Sequence, residues 1–340
     1  MAVNEFRKDI GTGEWVLISS LRAKRPHDGA RDVLAQSIEQ CFFEPSNLHE
    51  QSNPIALYNK GVITDWTGDW QQAWTTAVIK NKYPALQSGV CGAPRAEGVY
   101  FAHEAFGFHE LVITRDHESH FAQFSAEQTQ EVLMAYRNRY VQISADSCGE
   151  YVSIFHNHGR AAGASVAHNH SQIISTPFVP PIVLQSLQSA DEYFQQHGKT
   201  VHQEIIDFEM RHRERVVFEN ELFIAFCPYA SKAGYEVRIF PKYEQSRFET
   251  ATDVQLMACA QALNGVLKAL FVALDNVDYN FYLHTAPVER DPLIVYDYYR
   301  WHIVITPRIP IAAGFELSTA IYLNPFDPDD AAQHLRSVQS

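Results

Sequence analysis

His109-Glu-Leu-Val-Ile-Thr-Arg-Asp-His117 returns 126 residues later as Tyr235-Glu-Val-Arg-Ile-Phe-Pro-Lys-Tyr243. Both runs are short and apolar or alternating, and they read as strands. In the first copy Ser125-x-x-Gln128 makes a capping box, and Val132, Leu133, Tyr136 and Tyr140 fall at helical spacing. In the second, Thr252 caps a helix carrying Leu256, Met257, Ala260, Leu263, Leu267 and Leu270. A strand follows each helix, Tyr151–Phe155 and Tyr279–Leu283, then a histidine, His156 or His284, then a strand holding His170 or His302. This order with short links predicts an antiparallel sheet crossed by a helix. The fold class expected is α+β, one such domain duplicated in tandem. Phe178-Val-Pro-Pro181 and a helix-prone stretch to about Arg215, broken at His197-Gly-Lys-Thr200, connect the copies. The domains are expected at 1–195 and 196–340, with a capped helix after Asn324-Pro-Phe-Asp-Pro-Asp-Asp330.

The composition is that of a globular protein: 340 residues, 46% hydrophobic, 20% charged. A net charge of −13 argues against nucleic acid or an anionic membrane as partner, and leaves phosphate compounds only a local basic site. From the polar Met1-Ala-Val-Asn-Glu-Phe-Arg-Lys start no signal peptide is expected, and no apolar run of membrane length either. Five cysteines, scattered and odd in number, suggest no disulfide framework and suit a cytoplasmic location.

The chemistry concentrates in Ser165-Val-Ala-His168-Asn-His170-Ser-Gln172. Histidines at i and i+2 on a strand share one face. Small residues, Gly159-Arg-Ala-Ala-Gly163-Ala, precede them and let a phosphate approach backbone N–H groups. A histidine pair alone is more often plain sheet packing; Gln172 on the same face, with Asn157 and Ser165 nearby, points to a nucleophile acting on phosphorus.

The His168-Asn-His170-Ser-Gln172 run resembles the His-x-His-x-Gln signature of the galactose-1-phosphate uridylyltransferase family, a nucleotidyltransferase branch of the histidine-triad superfamily. The resemblance extends to Thr12-Gly-Glu-Trp15, Arg22-Ala-Lys-Arg25-Pro26, Asn81-Lys-Tyr-Pro-Ala85, Asn157-x-Gly159, Gly163, Ser165 and Gly314-Phe315-Glu316. It implies two histidine-triad-like domains in tandem. By the same resemblance His170 is the nucleophile that attacks the α-phosphorus of a nucleotide sugar, forming a nucleotidyl-histidine that a second phosphate then discharges. Gln172 would donate to a non-bridging oxygen. Asn157, Gly163 and Ser165 would hold the nucleotide phosphates, with Asn81 also at the substrate. Arg22 and Arg25 would bind sugar-phosphate oxygens; otherwise they are a solvated surface pair. Gly314, Phe315 and Glu316 would reach across a homodimer interface.

The family usually holds a structural zinc with Cys-x-x-Cys and two histidines. The corresponding residues here are Cys41, Glu44, His117 and His168, with glutamate in place of the second cysteine. Glutamate is a legitimate zinc ligand, so tetrahedral Zn²⁺ is expected at a weaker site; the alternative is a decayed site with Cys41 as a small buried hydrophobe. Of a second metal site found in some members, His284 and His302 fit two positions, but Gln185-Ser186 offers no carboxylate and Val304 replaces a histidine. No second metal is expected.

The substrates implied are a nucleotide sugar with a sugar 1-phosphate or inorganic phosphate. The first expectation is a UDP-glucose–hexose-1-phosphate uridylyltransferase. Tyr322 stands where the uridylyltransferases place a hexose-contacting glutamine, as in divergent members. An ADP-glucose phosphorylase, a dinucleoside-polyphosphate phosphorylase and a nucleotide-binding regulatory relative therefore remain alternatives.

Overall fold

The duplicated strands meet edge to edge. This computed structural model describes residues 4–20, 37–87, 95–146, 148–309 and 313–339. Strands β1 (Asn4–Lys8) and β2 (Trp15–Ser19) precede the first copy, which comprises β3 (Pro54–Asn59), β4 (Val62–Thr64), β5 (Thr76–Lys80), a hairpin of β6 (Arg95–Glu97) and β7 (Tyr100–Ala102), β8 (His109–Thr114), α1 (Ala126–Ser144), β9 (Tyr151–His158) and β10 (His170–Thr176). Helices α2 (Pro181–His197) and α3 (Val201–His212) connect to β11 (Val216–Glu219), β12 (Phe223–Phe226), β13 (Val237–Pro241), α4 (Asp253–Ala273), β14 (Tyr279–His284) and β15 (His302–Pro307). Helix α5 (Gly314–Thr319), β16 (Tyr322–Asn324) and α6 (Pro328–Ser337) follow.

The two copies share one antiparallel sheet of 11 strands in the order β11-β12-β13-β15-β14-β9-β10-β8-β5-β3-β4. Reading outward from the β9–β14 seam, β10, β8, β5 and β3 mirror β15, β13, β12 and β11. The α+β class and the duplication are therefore as expected.

Local signals fix the helices. The capping box of Ser125 with Gln128 forms, and the Thr252 cap proves to be a second one, with Gln255. Helix α2 stops at Gly198, which adopts φ +68, and Thr200 caps α3 by accepting from Gln203 N–H. Helices α1 and α4 lie side by side on one sheet face, burying Val132, Leu133 and Tyr136 with Leu256, Leu263, Leu267 and Leu270. Each such leucine contributes about 1.5–3 kcal/mol through burial. Contrary to the sequence expectation, α4 is long and apolar enough to cross a membrane, with a mean hydropathy of 1.6. Its apolar stripe is spent on the core of this fold.

The opposite face is covered differently in the two copies. In the first, Cys41, Phe43, Leu48, Trp70 and Trp74 pack on Leu57, Ala77, Ile79, Leu111 and Ile113. In the second, Ile206 of α3 packs on Val216, Ile224, Phe226 and Phe240.

Two sequence readings need correction. Val112 pairs with Ser171 and Ile239 with Ile303, so the equivalent β8 and β13 residues are 127 apart, one more than the sequence overlay. One residue of slip exchanges the faces of a strand. Likewise His156 pairs with Ser171 and Leu283 with Ile303, so His284 is the equivalent of Asn157 and not of His156. Second, Cys148 is disulfide-bonded, while Cys41, Cys227 and Cys259 are free and buried.

A smaller sheet, β1-β2-β16, ties the two ends of the chain together, with β16 parallel to β2. Buried Arg7 of β1 reaches Asp327 beyond β16 at 3.2 Å.

Candidate active site and metal cluster

His170 opens β10 on the sheet face away from α1 and α4. Its Nδ1–H donates to the carbonyl of His168 at 2.9 Å. A carbonyl only accepts, so the ring proton sits on Nδ1 and Nε2 carries the free electron pair. Burial holds the pKa below the ordinary imidazole value, which favours the neutral ring. Phe43 packs against both histidine rings, at centroid distances of 5.9 Å to His168 and 5.2 Å to His170.

Gln172 lies two residues along on the same face. Its Oε1 accepts from His109 Nε2–H at 2.9 Å. The tautomer follows from the other nitrogen: Ala85 N–H donates to His109 Nδ1 at 3.0 Å, so the His109 proton is on Nε2. With its oxygen engaged, the Gln172 amide has its NH2 free to donate elsewhere. Asn81 lies beside this cluster: its Oδ1 accepts from Tyr83 N–H, and its Nδ2, 3.0 Å from the proton-bearing His109 Nε2, makes a contact and not a hydrogen bond. His109 has no signature of its own in the sequence; only the pairing of β8 with β10 brings it to Gln172.

Asn157 lies near the end of β9, just before the loop to β10, which begins at Gly159. Gly159 (φ +83) and Gly163 (φ +86) take conformations that side chains resist. A Cβ on Gly159 would also run into the Asp278 carboxylate. Ser165 is exposed on the same loop. On the opposite sheet face, Tyr136 donates to Ser171 Oγ at 2.5 Å, and that oxygen lies 3.1 Å from His156 Nδ1. His156 is buried there, against α1 and away from the His170 face.

Cys41, Glu44, His117 and His168 converge, with one potential ligand atom from each lying within 4.8 Å of all the others. Cys41 Sγ is 3.5 Å from His168 Nδ1, His117 Nδ1 is 2.8 Å from Glu44 Oε1, and the two Nδ1 atoms are 3.3 Å apart. His168 Nε2–H donates to Thr114 O at 2.5 Å, so its bare Nδ1 faces the cluster. A ring fixed by a backbone carbonyl on one nitrogen and open on the other is how histidine presents itself to a metal. The thiol, carboxylate and two imidazoles match zinc chemistry, and the spacings leave room for a central ion. Without an ion, burial pushes the Cys41 thiol pKa up.

The remaining sequence candidates lie elsewhere. Gly314, Phe315 and Glu316 sit on α5 next to β16, where Glu316 caps its own helix by accepting from Ala313 N–H. Half-exposed Phe315 and strongly exposed Leu317 face outward there. Arg22 and Arg25 fall outside the described residues.

The second copy echoes this arrangement without its chemistry. His302 opens β15 and donates Nδ1–H to Arg300 O at 3.1 Å, as His170 does to His168. Val304 stands where Gln172 stands, and Arg300 where His168 stands. The buried Arg300 guanidinium donates to Pro241 O at 3.2 Å and to Gln203 Oε1 at 2.7 Å. A cavity of about 600 Å³ lies beside His302, Phe240 and Arg238, but neither His170 nor Gln172 lines it.

Comparison with known proteins places this geometry. Residues 2–180 match the model of the galactose-1-phosphate uridyl transferase N-terminal domain, and residues 100–338 match a domain of unknown function, DUF4921. The chain is 30% identical to the ADP-glucose phosphorylase of Arabidopsis thaliana, over 98% of this chain and 93% of that one. It is 24% identical to a galactose-1-phosphate uridylyltransferase of Thermotoga maritima, over 98% of each. The crystal structure of the Arabidopsis ADP-glucose phosphorylase with bound ADP-glucose superposes with a TM-score of 0.80 at 29% identity, over 98% of this chain and 99% of that one. Motif, sheet and full-length similarity agree: the chain belongs to the galactose-1-phosphate uridylyltransferase family.

Proposed function

We propose that this nucleotidyltransferase works by double displacement through a nucleotidyl-His170. The observation that carries the reading is the Nδ1–H bond to the His168 carbonyl, which leaves Nε2 as nucleophile. Nε2 attacks the α-phosphorus of a nucleotide sugar, the N–P bond forms, and the bond to the sugar-phosphate oxygen breaks. An oxygen of the second phosphate then attacks the same phosphorus and the N–P bond breaks. In both steps Nδ1 keeps its proton, and the His168 carbonyl stabilises the positive imidazole of the intermediate. The Gln172 NH2 donates to a non-bridging oxygen, oriented by His109. Asn157, Gly163, Ser165 and Asn81 bind the nucleotide donor, and Arg22 and Arg25 the sugar phosphate.

Zinc is the metal proposed for Cys41, Glu44, His117 and His168. Bound there it would cross-link residues 41–44 to the segment after β8 and the segment before β10, and hold His168, whose carbonyl orients His170.

The donor is UDP-glucose with a hexose 1-phosphate acceptor on the first reading. The second reading, ADP-glucose phosphorolysis, is favoured by the 30% identity to ADP-glucose phosphorylase and by Tyr322. A homodimer is part of the proposal, supported by the outward Phe315 and Leu317 of α5. So are the division at 195/196, which falls in the last turn of α2 just before the break at Gly198, and a cytoplasmic setting. The three free buried thiols support that setting and the Cys148 disulfide weighs against it.

The test is the intact mass of the protein after incubation with UDP-glucose or ADP-glucose and no acceptor, kept near neutral pH. A uridylyl or adenylyl adduct that is absent in His170→Gly is expected. No adduct with either donor overturns the mechanism.

A further inference from the structure

The second copy lacks the chemistry of the first, yet its seam strand touches the catalytic loop. Asn280 of β14 is buried and donates from Nδ2 both to Ala162 O at 2.8 Å and to Asn157 Oδ1 at 2.7 Å. Arg308 Nε donates to Asn280 Oδ1. The polarity of this chain is determined at both ends. A guanidinium only donates, so the Asn280 oxygen faces Arg308; a backbone carbonyl only accepts, so the Asn280 NH2 faces Ala162. The Asn157 oxygen must then face Asn280, and its NH2 must turn the other way. Asn157 Nδ2 lies 4.0 Å from the Cβ position of Gly163, on the loop itself. Two further second-copy groups hold the same segment. Asp278 Oδ2 accepts from Ala161 N–H at 2.7 Å, and Asn276 Oδ1 accepts from His158 Nε2–H at 2.9 Å.

We infer that Asn280 and Arg308 are positioning residues for nucleotidyl transfer: they lock Asn157 as a hydrogen-bond donor toward a phosphate on the 159–165 loop and anchor that loop at Ala162. The inference rests on the nucleotidyl-His170 reading for its consequence, but not for its geometry. It gives the silent copy a task, since all of the fixing groups come from residues 276–308.

Asn280→Asp tests it, because aspartate keeps the shape and can still accept from Arg308 but cannot donate to Ala162 or Asn157. Hydrogen exchange across residues 157–165 is expected to quicken by about tenfold or more. The single-turnover rate of adduct formation is expected to fall about 100-fold, the usual cost of one misplaced donor to a reacting oxyanion. In an Asn157→Ala background the same change should add almost nothing to the loss of rate. Arg308→Gln, which keeps a donor but loses the guanidinium, should show a smaller loss of the same kind and serves if Asn280→Asp does not fold. Unchanged loop exchange overturns the inference, and so do losses that multiply fully in the double variant. If the wild-type protein forms no adduct, the nucleotidyl-histidine reading falls and loop exchange alone decides on the positioning.

Discussion

His109 and Gln172 lie on neighbouring strands, and one bond of 2.9 Å between them sets which end of the glutamine amide is free. Because Ala85 N–H occupies His109 Nδ1, the ring can only donate from Nε2, and Gln172 can only accept through its oxygen. Removing the amide in Gln172→Ala should lower kcat by about 10²–10³. His109→Phe should lower it by about 10-fold or more with little change in KM, since the amide is then free to turn. Steady-state kinetics on both variants check this; a rise in KM alone would place His109 in substrate binding instead.

The Cys41-Glu44-His117-His168 cluster predicts stability that depends on metal. Chelation should lower the melting temperature of the wild-type protein, and zinc should restore it. Cys41→Ala should abolish both responses, whereas Glu44→Cys should raise zinc affinity by adding a thiolate. Metal content by elemental analysis, followed through thermal melts, decides the matter. A wild-type melt indifferent to chelator and free of metal would mean the cluster is held by hydrogen bonds alone.

Beneath the active strand pair, Glu110 of β8 and Arg139 of α1 form a buried two-point ion pair at 2.6 and 2.7 Å. Arg139→Met leaves Glu110 buried without its partner and should cost about 3–5 kcal/mol. Pairing it with Glu110→Gln should recover much of that loss. Urea unfolding of the single and double variants measures the difference.

Glu249 predicts a pH dependence of stability. Burial, the largest influence, pushes its pKa up from 4.5 to about 7, and its Oε2 is buried without a hydrogen-bond partner. A carboxyl raised in the fold binds its proton more tightly folded than unfolded. Its contribution is therefore full below pH 4.5 and is lost as pH rises toward and through 7. Glu249→Gln should remove this slope and stabilise the protein at pH 8 by an amount on the order of 3 kcal/mol. Denaturant midpoints at pH 5 and pH 8 for both proteins would expose any failure.

What could be read from the residues alone was what is encoded locally. Ser125 with Gln128, the Thr252 cap and the Gly198–Thr200 break each act within one helical turn, and each formed where expected. The motif at 168–172 and the grouping of Cys41, Glu44, His117 and His168 were legible through the resemblance. The strand overlay was not, because a period of two gives no protection against a slip of one residue, and only the partners of Ser171 and Ile303 reveal it. His109, Asn280 and Arg308 carry no local pattern at all. Their meaning arises from which strands become neighbours, and one of those adjacencies, β9 with β14, lies between the two copies.

The parallel pairing of β16 with β2 bears on how the chain is made. Val16 emerges from the ribosome about 300 residues before its partner Tyr322, and loop closure over such a distance is slow. Throughout that interval the edge of β2 that β16 will cover is open to other chains. The first copy can assemble its strands and helix while synthesis continues, but this edge can be sealed only at the last step. Nascent chains stalled short of residue 322 should therefore be the aggregation-prone and chaperone-dependent species of this protein.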